Sequence, residues 1–184
     1  AAKVAEALTR RWIEVHGEQV SEAAWRADLW GRRMLFWTAY APYILSTRDL
    51  VYRSSVLNGL ARGSRHIDRG ADKAPPGLKR ITAWAGVIAS ALVIQGGPAR
   101  LTKGEAGIAR ALAEACHEDG GLVSRSPLEQ LALVELLAQL RAVYAGARAD
   151  LPEPIADALA PSASALLAVT LGDGALGSWQ GGNM

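Results

Sequence analysis

Apolar residues recur along this chain with a helical period, and the breaks between periodic stretches fall on glycine, proline and polar clusters. In the first stretch Val4, Leu8, Trp12 and Val15 stand at i, i+4, i+8 and i+11, which predicts an amphipathic helix through about His16, closed by Gly17. A second helix is predicted from about Asp28 to Tyr40, where Leu29, Arg33, Phe36 and Trp37 share faces and Pro42 follows as a stop. A third runs from near Thr47 to about Arg69, with Thr47 or Asp49 as its cap and Gly70 at its close. The Gly- and Pro-rich segment 70–77 is a clear break.

From Ile81 onward the fourth helix, about Leu78 to Ile94, is apolar nearly all round. Such a helix belongs inside a domain. Its uninterrupted run of about 14 residues is shorter than the roughly 18 a membrane span needs, so no span is predicted. A fifth helix covers about Lys103 to His117, with Ile108, Leu112 and Cys116 on one stripe. The sixth starts at Ser126 or Pro127 and continues to about Ala145. Ser126 suits the N-cap, Pro127 the first helical position, and Glu129 follows three residues after the cap. After Pro152 and Pro154 a seventh helix reaches about Leu171, with a possible break at Pro161, and Gly172-Asp173-Gly174 ends the helical region. No strand alternation of useful length occurs, although Ala175 to Trp179 suits the start of a strand from another domain. The prediction is an all-α domain of helix hairpins in two layers.

Composition strengthens the helical reading. Half of the 184 residues are apolar, mostly Ala, Leu and Val, and six Trp carry most of the aromatic mass. A net charge of +2 is too small to imply a nucleic-acid partner. The positive charge is uneven, however: Arg53, Arg62, Arg65, Arg69, Lys73, Lys79 and Arg80 fall within 28 residues. That excess suits either an anionic ligand or a solvated helix face. The single Cys116 excludes an internal disulfide and reads as a small core residue. Residues 1–8 read as mid-helix and 181–184 as a turn, which suggests a fragment of a longer protein, so a missing signal sequence says nothing about export.

The polar loop from Glu118 to Arg125 feeds straight into the sixth helix. Helix beginnings offer free N–H groups to anions. Lys79 and Arg80 lie at the fourth helix's beginning, and Ser124, Arg125, Glu129 and Gln130 lie around that of the sixth. These groups are candidates to hold a carboxylate or sulfate. Alternatively, Arg125 pairs with Glu129 or Glu118 to hold the loop. Glu129 is either a base or the completion of a capping box. His66, near Arg62 and Arg65, either lines a charged groove or is a packing residue. Trp25 and Trp30 are candidate sugar platforms, with Trp37 in the core. His16 and His117 lack a second ligand at metal spacing, so neither a metal site nor a cofactor is predicted.

Three stretches carry a family resemblance. They are the Arg48–Ser55 helix into Arg65-His66; Asp119-Gly120-Gly121 through Ser124–Pro127 and on to Leu131–Leu137; and Leu171–Leu176 ending in Trp179-Gln180-Gly181-Gly182. Together they resemble the helical domain of the heparinase II/III-like proteins of alphaproteobacteria. That resemblance implies an incomplete α/α toroid of antiparallel helix hairpins over residues 1–171. Residues 172–184 would then begin the connection to a β-sandwich domain. It also implies an acidic, uronic-acid-containing polysaccharide as partner, cleavage by β-elimination in active members, and a periplasmic or envelope location.

The chain departs from the family at the sites of chemistry. Gly77-Leu78-Lys79-Arg80 lacks the Asn-His pair that holds the carboxylate in active relatives, and Leu128-Glu129-Gln130 stands where lyases carry Tyr-His. Leu122 and Ser126 replace the His and Asn of many members. Leu171 and Trp179-Gln180 stand where His and Phe-Asn are frequent. The alternative expectation is therefore a non-catalytic glycan-binding or scaffolding domain, with a protein-interaction module as a third class.

Overall fold

The computed structural model describes residues 1–94 and 97–181, and the chain is all-α. Among the described residues nine helices form: α1 Ala2–His16, α2 Glu22–Trp25, α3 Ala27–Ala39, α4 Ala41–Ile44, α5 Leu50–Gly70, α6 Leu78–Val93, α7 Gly97–Ala115, α8 Pro127–Ala147 and α9 Glu153–Ala168. A 3-10 turn, Ala71–Lys73, follows α5. The turn expected at the end of the chain, Gly182 to Met184, lies outside the described residues.

Local chemistry sets these boundaries. The Asp49 carboxylate accepts from the Tyr52 N–H at 3.0 Å and starts α5. At α8 the Ser126 hydroxyl accepts from the Glu129 N–H at 3.4 Å, with Pro127 in the first turn. Arg148 ends α8 in the left-handed conformation, and its N–H returns to Ala145 and Tyr144 carbonyls. Pro161 is carried inside α9.

The molecule is built around α6, which packs against α3, α5, α7 and α8. Ile81 and every residue from Ala83 to Ser90 are buried, as the all-round apolar pattern predicts. Met34 and Leu35 of α3, Ile67 of α5, Ile108 of α7 and Leu133, Leu137 and Leu140 of α8 complete the core. Backbone approach is closest where α3 meets α6. A Cβ on Gly31 would overlap the Thr82 carbonyl, and one on Gly86 would overlap the Gly31 backbone. Two large rings also sit on glycines: Trp30 against Gly63 of α5 and Trp84 against Gly107 of α7.

The first helix is rotated from its expected orientation. Val4, Leu8 and Val15 are 61, 68 and 54 % exposed. Trp12 alone of that stripe packs against the core, joined by Ala5 and Ile13, with Thr9 buried beside them. Trp12 explains this. Its ring meets Trp25, Trp30 and Trp37 with centroids 5.2–6.1 Å away, and the Arg33 guanidinium lies 4.2 Å above it. A single indole in an aromatic cluster outweighs aliphatic side chains that could have faced inward. Burial pushes the Arg33 guanidinium down to about 10.

Other boundaries also move. α7 begins at Gly97 instead of near Lys103, because Gly97-Pro98 opens the helix where the pattern reads as a break. The short α2, α4 and the 3-10 turn carry too few residues to show a period. Residues 175–179 form no strand; Leu176 makes only an isolated bridge to Thr170.

Glycine substitutions test the α3–α6 contact. Gly86→Ala should destabilise the fold by about 1–3 kcal/mol in urea unfolding, because overpacking outweighs the gain in helix propensity. Gly146→Ala, on α8 with open space around its Cβ position, should instead stabilise by about 0.5–1 kcal/mol.

Candidate functional site

The loop between α7 and α8 is organised by one buried side chain. Gln130, on the first turn of α8, accepts from the Leu122 N–H at 2.9 Å through its amide oxygen. Its amide nitrogen donates to the carbonyls of Gly120 at 3.0 Å and Ser162 at 2.9 Å. The neutral amide thus joins the loop, α8 and α9. Gly120, at φ 79°, presses against the Pro161 backbone, where any Cβ would overlap. His117 and Gly121 close the loop through a 2.9 Å backbone bond, as do Gly120 and His117.

Gln130 is buried and its three bonds are internal, so it locks the loop structurally, while also forming part of the lining of the neighbouring cleft. Only the fold brings Gly120, Leu122 and Ser162 to one amide, so no local spacing marks this role.

Outside the lock, Asp119 accepts from the Gly121 N–H at 2.8 Å and from Arg125 Nη1 at 3.0 Å. These two donors hold the Asp119 carboxyl below the usual carboxylate range. The loop-holding partner of Arg125 is thus Asp119, not Glu129 or Glu118. Arg125 adopts φ 52°, a left-handed conformation that costs a residue with a Cβ. Its carbonyl accepts from the Trp179 indole N–H at 3.1 Å. The 47 % exposed Trp179 stands at a cleft of about 430 Å³, lined also by Asp119, Arg125, Ser126 and Ser164. Ser124 is exposed on the loop outside that lining.

The candidate cations at the two helix beginnings do not gather in one cleft. Leu78 and Lys79 of α6 do share a cleft of about 170 Å³ with Glu129 of α8. Its charge is mixed, with Asp28, Glu129 and Glu135 beside Arg32 and Lys79. Arg80 turns elsewhere, to the Ala74 carbonyl at 3.0 Å and Glu114 at 3.0 Å. Successive helical residues point about 100° apart, which separates Lys79 from Arg80. Arg125 precedes the α8 cap and is drawn back by Asp119.

Trp25 and Trp30 are also corrected. They are 2 and 0 % exposed, so neither ring presents a face to a sugar. Trp25 donates to the His16 carbonyl at 2.8 Å, whereas the Trp30 indole N–H is buried without a partner. His66 is a packing residue: Nε2 bonds the Trp25 carbonyl and the ring lies edge-on to Trp25. Polar neighbours in sequence mark the ends of short elements here, not an exposed surface. The exposed indole is Trp179, missed because it lies beyond the helical pattern.

A third cleft, of about 440 Å³, lies between α3, α6 and α8 and is mainly apolar, with half-exposed Phe36 and Tyr40 at its edge. Among the described residues no group of three His, Cys, Asp or Glu is placed to hold a metal ion. No helix there is long and apolar enough to cross a membrane. Compared with protein-family models, curated proteins and solved structures, the chain matches none.

Gln130→Leu should cost about 2–4 kcal/mol in urea unfolding, because it leaves the Leu122 N–H and the Gly120 carbonyl buried without partners. Amide exchange at Leu122 should accelerate more than at the α6 core. Asp119 supplies a separate pH signature. Its depressed pKa means its contribution is present above the ordinary carboxylate range and is lost as pH falls through the folded value. Asp119→Asn should flatten that acid limb of stability against pH.

Proposed function

We propose that this chain is the helical domain of a heparinase II/III-like protein and binds an acidic, uronic-acid-containing polysaccharide. The observation that carries the reading is the joint placement of the half-exposed Trp179 indole and the Arg125 guanidinium at one cleft. A sugar's apolar face stacks on an indole. Its carboxylate suits the planar fork of an arginine. Ser126 and Ser164 add hydroxyl groups to the same lining. The sequence resemblance supports the finer reading of an incomplete α/α toroid that works beside a β-sandwich domain in an envelope-located parent.

Lys79 and Glu129 in one cleft favour a second reading, eliminative cleavage. A uronate needs its carboxylate neutralised before a base can remove the C5 proton, and a cation beside a carboxylate provides that pair of roles. Against it stand the missing Asn-His and Tyr-His pairs and the neighbouring acids Asp28 and Glu135, which repel a uronate. Binding without cleavage is therefore the leading reading.

Calorimetric titration with oligogalacturonate and oligoalginate tests both. Trp179→Ala and Arg125→Ala should each weaken binding by about fivefold to thirtyfold, the value of one stacking or charge-assisted contact. Unchanged affinity in both variants would remove the assignment. Growth of unsaturated-product absorbance that Glu129→Gln abolishes would favour the lyase.

A further inference from the structure

The basic run between Arg53 and Arg80 has a partly unspent charge. Arg62 is used internally: it donates to the Gly17 and Glu18 carbonyls and lies over Trp25. Arg80 is used on Ala74 and Glu114. Arg69 and Lys73 are exposed and, among the described residues, make no ion pair or side-chain hydrogen bond. Both line a cleft of about 550 Å³ between the end of α5, the 3-10 turn and α7. Lys103 and Arg110 enter that cleft from α7, and the edge of Trp84, otherwise buried, forms part of its wall.

Two carboxylates, Asp68 and Asp72, face these four cations. Asp68 is already engaged by Lys103 at 3.1 Å and by Arg100 at 3.9 Å. Asp72 meets Arg110 only at 3.8 Å, between side chains that are 74 and 61 % exposed. A pair so open is weakly held. The C-terminal end of α5 accounts for one cation, Arg69, in its last turn. It does not account for Lys73 and Arg110, which arrive at the same cleft from other elements. The four cations outnumber the two carboxylates, and a low-dielectric wall beside such an excess strengthens the field at its mouth.

We propose that this cleft binds a multiply charged oxyanion, a phosphate- or sulfate-bearing ligand, through Arg69 and Lys73, with Arg110 exchanging Asp72 for the ligand. The site is separate from the Arg125–Trp179 cleft and stands independently of it.

The test titrates the protein with tripolyphosphate and, in a second arm, with a persulfated disaccharide, at low and physiological salt. The expected result is saturable one-to-one binding of at least one probe. Binding by tripolyphosphate alone, by the disaccharide alone or by both supports the site and identifies its source of anions. Arg69→Ala/Lys73→Ala should lose about tenfold or more in affinity and show a shallower salt dependence, with unfolding little changed because neither side chain has an ion pair or hydrogen bond to lose and only Arg69 loses a helix-end interaction. Arg11→Ala/Arg53→Ala removes the same charge elsewhere. Arg53 lies roughly 24 Å along α5 from Arg69, so this variant and Arg125→Ala should both bind as wild type. No saturable binding of either probe, full affinity in the Arg69/Lys73 variant, or an equal loss in the Arg11/Arg53 variant would overturn the proposal.

Discussion

The rest of the structure depends on the close approach of α3 and α6 at Gly31 and Gly86. With no Cβ on either side, two helix backbones come together where ordinary side chains would hold them apart. That contact fixes α6 as the central helix, and the other helices pack around its buried surface. Gly63 and Gly107 extend the principle, each replacing a side chain with the face of a tryptophan. Close packing of this kind gives one arrangement, because a shift of an ångström on either side meets backbone.

Some of this was legible in the sequence because it is written in nearest neighbours. A helix apolar on all sides must be buried, and α6 is. Asp49 and Ser126 declared the starts of α5 and α8 through the type of residue that caps them. The all-α class followed from period and composition. What periodicity does not encode is which of two apolar faces wins. Of the expected α1 stripe only Trp12 faces the core, and its orientation is set by aromatic partners from other helices. Trp25 and Trp30 are likewise enclosed by a three-dimensional aromatic cluster that local sequence does not reveal.

The candidate sites divide along the same line. The beginnings of α6 and α8 do border one cleft, lined by Lys79 and Glu129. Sequence position does not give the rotation of each helix: Arg80 and Arg125 point away from that cleft, and Asp28, Glu129 and Glu135 line it. Gln130 lines the Arg125 cleft, but its three internal bonds are visible only when Gly120, Leu122 and Ser162 are in place.

Gln130 also explains how a strained arginine is kept ready. Arg125 holds a left-handed backbone that costs free energy in a residue with a Cβ. The strain persists because the loop around it is over-determined: Gln130 fixes Gly120 and Leu122 from beneath, Asp119 pulls on the guanidinium, and Trp179 bonds the carbonyl. A charged residue in place of Gln130 would leave an unpaired buried charge, whereas the amide serves one donor and two acceptors at once. The loop thus settles its conformation before any ligand arrives. A group ordered in advance loses less entropy on binding than a free arginine on a solvated loop. The same tethers leave Arg125 half-spent, because its guanidinium is already paired with Asp119. If the proposed binding holds, a ligand's carboxylate would have to displace Asp119, so selectivity at this cleft would follow from how well an anion replaces it, not from positive charge alone.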